Sequence, residues 1–130
     1  MASTGRPLSP HLGIYRWQAQ MVSSILHRAT GLALAAGSLL VVAGLLTLAA
    51  GRAPFAAFDA FCASPAGRLL LLGWTWALAY HLLNGVRHLL QDVGLGHAVA
   101  AFVRNSWLAV IGSVLLTVLV WAWVISGGGA

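Results

Sequence analysis

Acid is scarce in this 130-residue chain: Asp59 and Asp92 are its two acidic residues, and it has no lysine at all. Charged residues make up 7% of the chain and hydrophobic ones 60%. A soluble domain usually carries about 25% charged residues, so an ordinary water-facing surface is excluded and an integral membrane protein is expected. The single cysteine, Cys62, excludes an internal disulfide and offers no thiolate cluster for a metal. No internal repeat is visible. The net charge of +5 comes from seven arginines, Arg6, Arg16, Arg28, Arg52, Arg68, Arg87 and Arg104. They stand singly between apolar runs, a pattern that fits membrane topology and not nucleic-acid binding.

Three uncharged runs are present: residues 29–51, with 23 positions, residues 69–86, with 18 and His81 inside, and residues 105–130, with 26. About 20 helical residues cross roughly 30 Å of hydrocarbon, and a bilayer demands that backbone groups be satisfied within the segment. An all-α membrane domain over 1–130 is expected, with spans near 29–50, 67–90 and 105–126, the second continuing past Arg87 towards Asp92. Residues 1–28 are expected as a cytoplasmic segment, with 7–20 extended or turned by two prolines and a glycine. Residues 51–67 are expected to connect the first two spans on the outer side, with a short amphipathic helix. Three spans bury few of their faces alone, so packing against other membrane helices is expected.

Arginine placement predicts orientation. Arg6, Arg16, Arg28, Arg87 and Arg104 fall on one side and Arg52 and Arg68 on the other, which puts the N-terminus inside and the C-terminus outside. Trp107, Trp121 and Trp123 are expected as interfacial anchors, while Trp74 and Trp76 enter the second span from the outer side. "LAAGRA" loosely resembles a signal-peptidase site, but the run before it is longer than the 7–15 residues of a signal core, so the span is expected to be retained. No acid lies well inside a span, which speaks against a transporter.

Two polar constellations interrupt the apolar pattern. In "YHLLNGVRHLLQD" (80–92), helical spacing puts His81, Gly85 and His88 on one face, with Asn84 beside them. A histidine within a span is costly and faces a bundle interior or a cavity. One reason for it is axial ligation of haem, with Gly85 making room for a flat macrocycle; another is a hydrogen bond between helices. The segment alone leaves both open. His81 lies six residues, about 9 Å of helix, before Arg87, which places it in the cytoplasmic half of the bilayer. In "SSILHRATG" (23–31), Ser24, His27, Arg28 and Gly31 share a face at the mouth of the first span. They could be an orienting collar or a site that meets the carboxylates of a haem held by His81. His11 and His97 are expected as interfacial or surface histidines. Asp92, four residues after His88, could orient it or balance charge at the helix end.

At these residues a resemblance appears. "RPLSPHLGIYRWQAQMVSSILHRATG" (6–31) and "AYHLLNGVRHLLQDVGLGH" (79–97) look like the two signatures of the cytochrome b-type membrane anchor of succinate dehydrogenase, that is, of respiratory complex II. The blocks cover about a third of the chain, and their specificity lies in their joint occurrence on successive spans. The resemblance implies that His81 is an axial ligand of haem b, with a histidine of a second anchor subunit as the other. It implies Ser24 and Arg28, and more loosely Trp17, at a ubiquinone pocket, and His27, Arg28 and His88 near the haem propionates. Flavoprotein and iron–sulfur subunits are the implied partners, in a bacterial inner membrane, since no transit-like segment precedes residue 6. Gln91 departs from the pattern, where many relatives have tryptophan. The implied function is quinone reduction with electrons from succinate; a haem-free structural anchor, or fumarate reduction with menaquinone, is the alternative on the same fold.

Overall fold

The computed structural model describes residue 13 and residues 15–127. His11 and Arg6 lie outside the described residues. Four helices follow in order: α1 (Ala19–Ala50), α2 (Arg52–Ala63), α3 (Pro65–Asp92) and α4 (Val99–Ile125). Of these, α1, α3 and α4 are long and apolar enough to cross a membrane. The all-helical, three-span architecture is therefore as expected, and α2 is the short helix between the first two spans.

The helices outrun the uncharged stretches. α1 starts at Ala19, ten residues before the expected span, so Ser23, Ser24, His27 and Arg28 already stand on helical turns. Charge marks where a helix leaves the hydrocarbon, not where its backbone bonding ends, and nothing between Ala19 and Arg28 breaks a helix. α4 likewise begins at Val99, before Arg104. The breaks come from local backbone chemistry. Gly51, at φ 118°, takes a conformation that side-chain-bearing residues avoid, which ends α1 and turns the chain into α2. Ser64 then caps α3, its hydroxyl accepting from Gly67 N at 3.1 Å, with Pro65 in the first turn where no amide donor is needed.

α3 packs against both α1 and α4. The interior is made of small and polar side chains: Ser23 and Thr30 of α1, Ala77, Tyr80, Asn84 and Arg87 of α3, and Ser106, Ala109, Ser113 and Thr117 of α4 are buried. Leucines and valines point outward; Leu32, Leu39, Leu69, Leu89 and Leu119 are each well over half exposed. This reverses the soluble pattern for a physical reason. Lipid tails solvate leucine as well as a protein core does, so helices associate through close approach at small residues and through hydrogen bonds. Gly37 is the tightest such approach between spans. A Cβ there would collide with the Trp74 indole, which lies directly on it. Trp121, expected at the interface, is half-buried and donates to Thr75 Oγ1 at 3.4 Å, joining α4 to α3.

Candidate functional site

The site forms where the first turns of α1 cross the second half of α3. His81 is held from α1 by its Nδ1, which lies 3.1 Å from the carbonyl oxygen of His27 and 3.3 Å from Thr30 Oγ1. A carbonyl can only accept, so Nδ1 carries the proton and the lone pair of the neutral ring resides on Nε2. Thr30 is free to accept because its own hydroxyl donates back along the helix, to Leu26 O at 2.8 Å and His27 O at 3.0 Å. Nε2 of His81 makes no hydrogen bond among the described residues and is not one of the enclosed unpartnered atoms, so it opens to the surface of the bundle. The ring fits because residue 31 is glycine: a Cβ there would stand 3.0 Å from His81 Cε1. Gly31 thus provides the room that the His81 ring occupies, while a Cβ at Gly85 would meet the His27 ring at 4.0 Å, an ordinary contact.

The His27 ring stacks on His81 with centroids 4.0 Å apart and planes 10° apart, and lies 5.2 Å from His88 at 48°. His27 Nδ1 is enclosed without a partner. Stacked rings do not converge their nitrogens on one ion, and among the described residues no group of three or more His, Cys, Asp or Glu is disposed to hold a metal. The one imidazole nitrogen here that is both oriented and open is His81 Nε2, since Nδ1 of that ring is bonded to a carbonyl.

A second polar cluster lies one residue round on each helix. Ser23 Oγ donates to Asn84 Oδ1 at 2.9 Å, and the Tyr80 hydroxyl donates to Ser23 O at 3.1 Å. Ser23 is 2% exposed, and Tyr80 and Asn84 are fully buried. This clasp sets the rotation of α1 against α3, and with it the register that brings the His27 carbonyl to His81. Sequence reading placed Asn84 beside the histidine face and missed Ser23 and Tyr80. The available signal was the spacing Tyr80, Asn84, Arg87, which repeats that of His81, Gly85, His88 one position earlier.

Ser24 and Arg28 are brought together, Arg28 Nη2 donating to Ser24 Oγ at 3.1 Å, on an outward face of α1 where Arg28 is exposed. Trp17 does not join them. It is 66% exposed and borders a separate groove of about 270 Å³ between the start of α1 and α4, with Ser23 and Trp107. Asp92 is exposed and makes no hydrogen bond or ion pair to His88 among the described residues. His97 is a local cap, its Nε2 donating to Gln91 O at 2.8 Å. Arg87, expected only as a marker of the membrane edge, is buried between α3 and α4.

Residues 2–121 match the family described as succinate dehydrogenase/fumarate reductase transmembrane subunit. The chain belongs to that family. Among its relatives, the succinate dehydrogenase cytochrome b556 subunit of Paracoccus denitrificans is 42% identical over 114 residues, 88% of each chain. That of Rickettsia felis is 39% identical over 116 residues, 89% of this chain and 90% of the relative. The mitochondrial cytochrome b560 subunit of Mus musculus is 38% identical over 122 residues, 90% of this chain and 68% of the relative.

Proposed function

We propose that this protein is a haem b-binding membrane anchor of succinate dehydrogenase and helps to form the site where ubiquinone is reduced. The observation that carries the reading is the hydrogen bond from His81 Nδ1 to the His27 carbonyl. In the neutral ring it puts the lone pair on Nε2 and orients it, which suits an axial ligand. A histidine of a second hydrophobic anchor subunit would be the haem's other ligand. Haem b, when bound, supplies a one-electron store beside the quinone.

This chain's own residues act by binding and charge. Arg28 and Ser24, already paired at 3.1 Å, present hydrogen-bond donors to a quinone oxygen. A fixed guanidinium at that position stabilises negative charge as it develops on reduction. Trp17 borders the separate groove between the start of α1 and α4, where its indole offers an aromatic face to a quinone ring. His27, stacked on His81, and His88, close to His27, suit the propionates together with Arg28. Electrons arrive from succinate through flavoprotein and iron–sulfur partners, and protons from the cytoplasmic side. The arginine distribution favours an orientation with the N-terminus and the α3–α4 connection on that side and the C-terminus outside, and the bacterial relatives support a bacterial inner membrane.

The test separates the two roles. His81→Ala is expected to remove the α-band of reduced membranes. Arg28→Ala is expected to lower succinate-to-quinone activity while succinate-to-dye activity stays intact. An α-band that persists in assembled His81→Ala complex makes the chain a haem-free anchor, and unchanged quinone reduction in Arg28→Ala removes that residue from the pocket.

A further inference from the structure

Arg87 carries a charge that the proposed chemistry does not use. It is 5% exposed, at the interface of α3 and α4. Its Nη1 donates to Ser106 Oγ at 2.8 Å, and its guanidinium carbon lies 4.6 Å from the centroid of the Phe102 ring. These neutral contacts orient the group without balancing its charge. No acid lies within ion-pair range among the described residues. The chain has two acids, of which Asp59 is in α2 at the opposite end of α3 and Asp92 is exposed. Arg87 Nε is enclosed without a partner. Nη2 makes no hydrogen bond among the described residues and is not among the enclosed atoms, so it faces open space.

That space is a cavity of about 280 Å³ between α3 and α4, bordered by Leu83, Val86, Arg87, Leu90, Asn105 and Leu108. A buried, unpaired charge is costly enough that an opposite charge is expected to meet it. The counter-charge comes from outside the chain. Arg87 lies six residues after His81, turned by about 120° at 3.6 residues per turn, and its hydrogen bond goes to Ser106 of α4 whereas that of His81 goes to His27 of α1. The cavity instead joins a guanidinium at its base to aliphatic walls that continue into the outward-facing leucines of both helices, at the level where the span ends.

From this geometry we infer that the α3–α4 cavity is a phospholipid site. Arg87 takes the phosphodiester, Asn105 stands at the rim, and an acyl chain runs along Leu83, Val86 and Leu108. A guanidinium binds phosphate through a fork of donors, and basic pockets between membrane helices near the cytoplasmic edge hold lipid headgroups.

The experiment uses the whole complex, purified, stripped by detergent exchange and read by native mass spectrometry. Dioleoylphosphatidylglycerol, dioleoylglycerol and inorganic phosphate serve as separate probes. The phosphoglyceride is expected to be retained and the other two are not. Arg87→Gln is expected to lower retention at least tenfold, and Val86→Trp, which fills the cavity mouth and leaves the guanidinium in place, to do the same. Arg104→Gln, altering an exposed arginine, should retain the lipid as wild type does. Retention equal to that of wild type in Arg87→Gln and Val86→Trp overturns the inference. Binding of inorganic phosphate as tight as that of the lipid overturns the lipid assignment. Loss of a partner protein from Arg87→Gln with the lipid still held makes the counter-charge a protein carboxylate, and overturns it as well.

Discussion

Replacing Gly31 by alanine tests the proposed ligand geometry with a single methyl group. The added Cβ would stand 3.0 Å from His81 Cε1, against the 3.5–4.0 Å or so at which carbon atoms pack comfortably. The imidazole has to recede by about 0.5 Å or more to reach that range. Its Nδ1 bond to the His27 carbonyl is already 3.1 Å long, and a retreat of that size takes it to roughly 3.6 Å, where it ceases to be a hydrogen bond. The alternative relief, moving α1 away from α3, stretches the buried Ser23–Asn84 bond from its 2.9 Å and so meets its own resistance. Loss of such an outer partner costs about 10–100-fold in metal affinity. The helix itself gains from the change, since alanine is favoured over glycine by about 1 kcal/mol in a helix interior. A loss of cofactor is therefore not a loss of α1. The assay is the haem-to-flavin ratio of the purified complex, from the reduced α-band, under limiting haem supply. Gly73→Ala is the control, because a Cβ at Gly73 meets nothing within 4 Å. A Gly31→Ala complex with the wild-type ratio, band position and haem-loss rate refutes the role given to this contact.

Other substitutions probe the surrounding structure. Asn84→Leu strands the buried Ser23 hydroxyl and should destabilise the assembled complex by about 0.6–1.7 kcal/mol, read as a lower midpoint in detergent denaturation, with Ser23→Ala partly restoring it. Thr30→Val keeps the shape but removes one of the two acceptors of His81 Nδ1, so haem should leave faster than from wild type and more slowly than from Gly31→Ala. Gly37→Leu drives a side chain into the Trp74 indole and should cost about 1–3 kcal/mol by overpacking, seen as reduced membrane accumulation with the α-band position unchanged in what assembles. His97→Ala removes only the bond to Gln91 O and should leave both the haem content and quinone reduction as they are.

The spans, and the faces that carry the site, were legible in the sequence because they depend on local quantities. Hydropathy over about 20 residues identifies a bilayer crossing, and the 3.6-residue period groups Ser24 with Arg28 and His81 with His88 whatever the rest of the chain does. Helix ends were less legible. Charge suggested that the first span begins at residue 29, whereas helix continues back to Ala19 because backbone bonding does not register the membrane surface. The pairing of Arg28 with Ser24 is a property of one helix, and so it was visible; the separation of Trp17 from both is a property of how α1 lies on α4, and so it was not.

By itself, then, the sequence determined a three-span helical membrane protein of the succinate dehydrogenase/fumarate reductase transmembrane subunit family, with polar residues confined to particular helix faces. The tertiary structure decided which of two equally spaced faces turns inward. On α3, Tyr80, Asn84 and Arg87 are buried while His81 and His88, one position on, stay half-open; on α1, Ser23 is buried and Ser24 is not. Periodicity cannot choose between faces offset by about 100°, because both satisfy it equally. The choice is made by pairing across helices: an Asn84 carbonyl for the Ser23 hydroxyl, a Ser106 hydroxyl for Arg87, and a His27 carbonyl for the Nδ1 of His81.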